Sequence, residues 1–204
     1  MRKLFVLGDS ISIHYGPYLK KAVKGKFEYD RKRGIDQALT DLDTPQGANG
    51  GDSRQVLEYL TDQDSKGVKY DILLLNCGLH DIRRSENRDS RQVEADEYRS
   101  NLERICDLAC KMSEKVLWVE STPVADDIHN TLSKSMKRYN RDLLEYNKIA
   151  KSVMAGSGIQ IIPLYSYANS LGENAYCDHI HFNESTREKQ AEFISVHLEE
   201  LCLK

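Results

Sequence analysis

The chain has 204 residues, with 29 Lys and Arg against 32 Asp and Glu and a formal net charge of -3. This length suits one domain, read as 1–204, with a core large enough to stand without disulfides or metals. The near balance of charge leaves no basic footprint for nucleic acid and no long acidic tail.

In chain order, apolar β-type runs alternate with longer helical patterns. Lys3 to Leu7 reads as a short buried strand, and Ile11 to Val23 as a helix whose first turn Pro17 makes irregular. Phe27 to Tyr29 reads as a short edge strand. The segment from Arg31 to Gly51 is polar and without periodicity, so it is expected to be a long functional loop over the C-terminal edge of a sheet. It offers no clear apolar lining. A helical stretch follows at Val56, Leu57, Tyr59 and Leu60, capped by Ser53. Asp71 to Asn76 is the clearest buried strand. Tyr98, Leu102, Ile105, Ala109 and Met112 form one stripe at helical spacing. Val116 to Val119 is a strand. Tyr139, Leu143, Tyr146, Ala150 and Val153 mark a helix that Gly156 or Gly158 ends. Ile159 to Leu164 is a strand, and Ala191, Ile194, Leu198 and Leu201 mark a last helix. Strands alternating with helices imply βαβ units and a parallel sheet.

Cys77, Cys106, Cys110, Cys177 and Cys202 are odd in number and irregular in spacing, with no paired zinc-type motif. They read as free thiols in a reducing compartment. After Met1-Arg2-Lys3 only four apolar residues precede Gly8, too few for the apolar core of a secretory signal. No run reaches the roughly 20 apolar residues of a membrane span. A cytoplasmic location without membrane contact is expected. Asn183-Glu184-Ser185 fits the glycosylation pattern and carries little weight in that setting.

Ligands of an open parallel sheet bind outside the carboxyl ends of its strands. Two polar blocks fall there, Gly8-Asp9-Ser10 and Cys77-Gly78-Leu79-His80-Asp81, and a third, Cys177-Asp178-His179-Ile180-His181-Phe182-Asn183, precedes the last helix. A serine between a strand and a helix sits where backbone N–H groups are free and the helix dipole favours an anion. That suits a nucleophile, although Gly-Asp-Ser alone equally reads as a helix cap. An Asp three residues before a His can supply a base and the carboxylate that orients it. Taken alone, that pair also reads as surface polarity at a helix start, with Asn183 or Ser185 as the cap. A second Gly-Asp-Ser, at residues 51–53, follows a polar loop and reads as a cap, while Gly51 could bring its N–H close to a ligand. His80, Asp81, Asp178, His179 and His181 lack any recognisable metal-binding pattern, so no metal is expected. Arg83 and Arg84 could hold a substrate carboxylate or phosphate, the plainer reading being solvated loop charges. The Gly-x-Ser-x-Gly nucleophile elbow is absent around Ser10 and Ser53.

In this order the blocks resemble the SGNH, or GDSL-type, hydrolase family from residue 4 to the last helix. Gly8-Asp9-Ser10 matches its first block, Gly51 its second, Gly78 to Asp81 its third, and Asp178 with His181 its fifth. The resemblance implies a three-layer α/β/α sandwich with a five-stranded parallel sheet in flavodoxin-like order. It also implies cofactor-free hydrolysis of small acyl esters. Ser10 would be the nucleophile, His181 its base and Asp178 the orienting acid. The oxyanion hole would comprise the Ser10 and Gly51 N–H groups and the side chain at position 80. Asp9, with Arg83 and Arg84, is a further candidate for contact with the substrate. His80 departs from the Asn usual in the third block; a neutral His can still donate from one ring nitrogen, and Asp81 could bias which. By family analogy, O-acetylated carbohydrate is the leading substrate class. Thioesterase, lysophospholipase and acyltransferase activities are alternatives, as is a non-catalytic binding domain.

Overall fold

A computed structural model describes residues 1–85, 89–133 and 135–203 of the chain. The elements in order are β1 (Lys3–Leu7), α1 (Ser10–Ala22), β2 (Glu28–Arg31), α2 (Ile35–Thr40), α3 (Ser53–Ser65), β3 (Tyr70–Leu75), β4 (Arg84–Ser85), α4 (Ala95–Met112), β5 (Ser113–Val119), α5 (Asp126–Leu132), β6 (Met136–Lys137), α6 (Asn140–Gly156), β7 (Gln160–Ile162), α7 (Leu164–Ser170) and α8 (Glu184–Cys202). Five strands form one parallel sheet in the order β2-β1-β3-β5-β7. This is the order expected of a flavodoxin-like fold.

The central strands are apolar without alternation because both of their faces are covered. Leu4, Val6, Leu7, Ile72, Leu73, Leu74 and Leu117 are all buried. On one side α1 packs against α8 and α8 against α7; on the other α3 packs against α4 and α4 against α6. The α4 stripe from Tyr98 to Met112 is wholly buried, as its spacing predicts.

Several expectations are corrected. The segment from Arg31 to Gly51 is not helix-free: α2 lies within it, and Ile35 and Leu39, one turn apart, stay partly exposed. Six residues are too few to reveal a helical period. Its end does meet the C-terminal edge of β1, where Gly50 N–H donates to Gly8 O at 2.8 Å. α1 runs through Pro17, which lies in its second turn, beyond the first. The strand expected over 159–164 covers only Gln160–Ile162, since Pro163 caps α7. The cap of α3 is Asp52, not Ser53. Its carboxylate accepts from Arg54 and Gln55 N–H while the Gln55 side chain accepts from Asp52 N–H. All five cysteines are free. Among the described residues no helix is long and apolar enough to cross a membrane.

Candidate active site

Asp9 ends the turn after β1 in an extended conformation and caps α1, its carboxylate accepting the Ile11 N–H at 3.0 Å. It is buried, and burial raises its pKa. Asp9 is therefore part of the scaffold below the site and not a substrate contact. Because Asp9 does the capping, Ser10 does not. Ser10 is the first helical residue, its N–H has no acceptor within the helix, and its hydroxyl is released for other work.

That hydroxyl lies 2.9 Å from His181 Nε2. His181 Nδ1 lies 2.8 Å from Asp178 Oδ2. Asp178 Oδ1 in turn accepts the N–H groups of Ile180 at 2.8 Å and His181 at 2.7 Å. These charge-assisted bonds, with the His181 side chain first among them, outweigh partial burial and hold the Asp178 carboxyl far below the usual range. The short turn from Asp178 to His181 can do this because Asn183 starts α8 immediately afterwards, its side chain accepting Thr186 N–H. An ionised carboxylate fixes the proton on His181 Nδ1, which leaves the Nε2 lone pair facing Ser10.

His80 is buried in the turn that follows β3. Burial and, after it, the charges of Arg138 and Arg83 push its pKa well down, so the ring is neutral. Its Nδ1 is 3.5 Å from Arg83 Nη1. A guanidinium only donates, so Nδ1 accepts and the proton sits on Nε2. The tautomer is thus biased by Arg83 and not by Asp81. Asp81 accepts Ser53 N–H at 2.9 Å, and burial lifts its pKa to about 7. Gly78 has φ +148°, and a Cβ there would meet Ser121 Oγ at 2.6 Å, so this block admits only glycine at its head.

Gly51 also holds a left-handed φ of +72°, with the Gln55 side chain where a Cβ would stand. Its N–H, which the resemblance assigns to an oxyanion hole, is donated to Asn49 Oδ1 at 3.0 Å. Arg83 sits at the rim but is engaged, giving Nη1 to Asp43 O at 3.1 Å. Arg84 is held by Asp142, at 3.0 and 2.8 Å, and by Asp89. It ties the β4–β6 ribbon to α6 and is neither a substrate contact nor a solvated charge.

Five residues with no assigned role also converge here. His14, one turn after Ser10 on α1, sets its ring edge against His181, with centroids 4.9 Å apart. Burial, then the charges of His181 and Arg187, lower its pKa to about 4, so it stays neutral beside His181. The i, i+4 spacing to Ser10 is the one signal that could have found it. His179 joins Asp43 Oδ2 at 3.0 Å to His129 Nδ1 at 2.9 Å, bridging the 41–51 segment to α5. Arg138 is buried, gives Nε to Leu79 O at 2.8 Å, and is pulled down to about 10 by desolvation. Nothing in the sequence marks Asp43, His129 or Arg138, because their proximity comes from three separate segments, of which only α5, carrying His129, is a regular element. Among the described residues no three His, Cys, Asp or Glu side chains cluster as a metal ion would need.

A nucleophile, base and orienting acid in one hydrogen-bonded line can carry out acyl transfer. Residues 6–188 match the model of the GDSL-like lipase/acylhydrolase family. No curated protein matches the chain. Among solved structures, a lipase/acylhydrolase from Enterococcus faecalis is similar over 98% of this chain and 96% of its own, with TM-score 0.71 and 19% identity. Axe2, an acetylxylan esterase from Geobacillus stearothermophilus, is similar over 100% of this chain and 95% of its own, with TM-score 0.69 and 14% identity. The acetyl xylan esterase AlAXEase covers 96% of this chain and 99% of its own, with TM-score 0.70 and 16% identity. At such identities these likenesses speak for the fold, whereas the match over residues 6–188 carries the assignment: this chain belongs to the GDSL-like lipase/acylhydrolase family of ester-hydrolysing enzymes.

Proposed function

We propose that this chain is a metal-independent serine esterase that releases small acyl groups, acetyl foremost, from an alcohol such as a carbohydrate hydroxyl. The observation that carries the reading is the unbroken line from Asp178 through His181 to Ser10, with bonds of 2.8 and 2.9 Å at the C-terminal end of the sheet. Ser10 Oγ attacks the ester carbonyl as its proton passes to His181 Nε2. Asp178 stabilises the imidazolium. As the tetrahedral intermediate collapses, the alcohol leaves with the proton from His181, and the acyl group stays on Ser10. Water then enters, gives its proton to His181, and releases the acid as Ser10 Oγ is reprotonated.

The oxyanion of each intermediate is assigned to Ser10 N–H and His80 Nε2–H. Gly51 N–H joins them by leaving Asn49 Oδ1 for a charged acceptor, which forms the stronger bond. Removing one such donor costs on the order of 100- to 1,000-fold in rate. The acetyl preference is drawn from the acetylxylan esterases that share the fold.

The test is hydrolysis of p-nitrophenyl esters from acetyl to palmitoyl by wild type and Ser10→Ala, with fluorophosphonate labelling of both. Turnover confined to short chains, and turnover and label both lost in Ser10→Ala, is the expected result. A preference for long chains moves the reading to a lipase or thioesterase. Neither turnover nor label at Ser10 refutes it.

A further inference from the structure

Beside the triad runs a groove that the hydrolytic step does not use. It has a volume of about 640 Å³ and lies between the outer face of α1, the edge strand β2 and α2. Its head is His14, whose ring touches His181. The groups assigned to the oxyanion, His80 and Gly51, do not line it. His181 is the group that hands a proton to the departing alcohol, so the groove begins on the leaving-group side of the site.

Its lining combines apolar surface with unneutralised charge. Ile35 and Leu39 stand one turn apart on α2 and are 36% and 52% exposed, an apolar pair that a ligand would take out of water. Arg31 is 7% exposed, and its guanidinium donates to the neutral oxygens of Ser12 and Ala48, while its backbone N–H goes to Asp30 Oδ1. Its Nε has no acceptor. Arg187 likewise donates to Phe182 O and Cys177 Sγ, and Lys20 makes no ion pair among the described residues. The carboxylate in the groove wall, Asp30, is already held by Lys3 and Arg33. A buried guanidinium without a counter-ion is costly, and an anionic ligand would relieve that cost.

We propose that this groove seats the alcohol half of the ester, and that this alcohol is an amphipathic anion. Its apolar body lies on Ile35 and Leu39, and its carboxylate or phosphate lies in the field of Lys20, Arg31 and Arg187. The proposal rests on the esterase reading for its placement, but its binding arm does not depend on turnover.

The binding arm is calorimetric titration of Ser10→Ala protein with 8-hydroxyoctanoate, octyl phosphate and neutral octane-1,8-diol. The two anions bind at least tenfold more tightly than the diol, and the better of the two identifies the anion as carboxylate or phosphate. Lys20→Glu weakens the anions about tenfold and leaves the diol unchanged, and 0.5 M salt narrows the same gap. Leu39→Glu weakens all three ligands. The kinetic arm compares 8-acetoxyoctanoate with its methyl ester on wild type. The anion has the higher kcat/KM, and Lys20→Glu removes that preference. Lys20 and Leu39 are on the surface, so both variants are expected to fold. Equal affinity for anion and diol, no binding at all, or binding unmoved by both substitutions overturns the proposal even if the protein hydrolyses acetate esters. Anion-selective binding without any ester turnover keeps the groove and removes the esterase reading.

Discussion

Replacing Asp178 with Asn changes one atom and tests the whole triad geometry. Asp178 Oδ1 holds two backbone N–H groups, at 2.8 and 2.7 Å, and these need an oxygen acceptor. The single carbonyl oxygen of Asn stays with them, which turns its NH₂ toward His181 Nδ1, 2.8 Å away from the present Oδ2. The imidazole must then offer a lone pair at Nδ1 and carry its proton on Nε2, the tautomer that cannot deprotonate Ser10. In a fully buried triad this exchange costs about 10⁴-fold in kcat. The Asp178 side chain is 42% exposed, so water can support some of the correct tautomer. The expected loss is therefore smaller, roughly 100- to 1,000-fold, or about 3–4 kcal/mol in the barrier. Steady-state hydrolysis of p-nitrophenyl acetate at pH 8 reads it, with the loss in kcat and little change in KM. Asp178→Ala should lose less than Asp178→Asn, since water can fill the space and accept the Nδ1 proton. A loss of under tenfold for Asp178→Asn, or a loss confined to KM, would refute the assignment.

Other predictions follow from the same site. His80→Asn should keep most of the activity, because an amide donates without titrating, whereas His80→Ala should lose about 100-fold in kcat; equal rates for wild type and His80→Ala would remove it from the oxyanion hole. Asp81 has its folded pKa raised to about 7 by burial, so the folded state binds a proton that the unfolded state has released, and stability falls as pH rises from about 4 to 7. Asp81→Asn, neutral throughout, should gain on wild type by roughly 2–3 kcal/mol more at pH 8 than at pH 5, as read by urea unfolding; a pH-independent difference would contradict this. His129 has the opposite sign, its pKa lowered to about 3 by burial and then by Arg138. The unfolded chain takes up the proton first, so stability is lost as pH falls below about 6.5, and His129→Gln should gain on wild type as the solution is acidified from pH 7 to 4.5. Thermal unfolding at three pH values reads that trend, and a gain that shrinks on acidification would count against it.

Local sequence was enough for the skeleton of this protein. The runs Leu4 to Leu7 and Ile72 to Leu75 are apolar at every position, which identifies strands covered on both faces. The stripes of α4, α6 and α8 repeat at helical spacing, and alternation of the two kinds of element leads to a parallel sheet. Ser10, Asp178 and His181, which the structure joins by hydrogen bonds, were legible as candidates because each lies at a recognisable strand or helix end and because four short blocks occur in the family's order. Elements of six or seven residues, α2, α5 and α7, were not legible, since fewer than two turns cannot show a period. Only the tertiary structure decided who caps α1, and hence that Ser10 Oγ is free to meet His181, 171 positions away. It alone turned Asp81 toward Ser53 and Arg83 toward His80, took Arg84 to Asp142, and brought Asp43, His179 and His129 into one chain. Helical and strand patterns are set by neighbours a few residues apart, whereas these contacts depend on where loops from different strands are delivered by the packing of the sheet and its two helix layers.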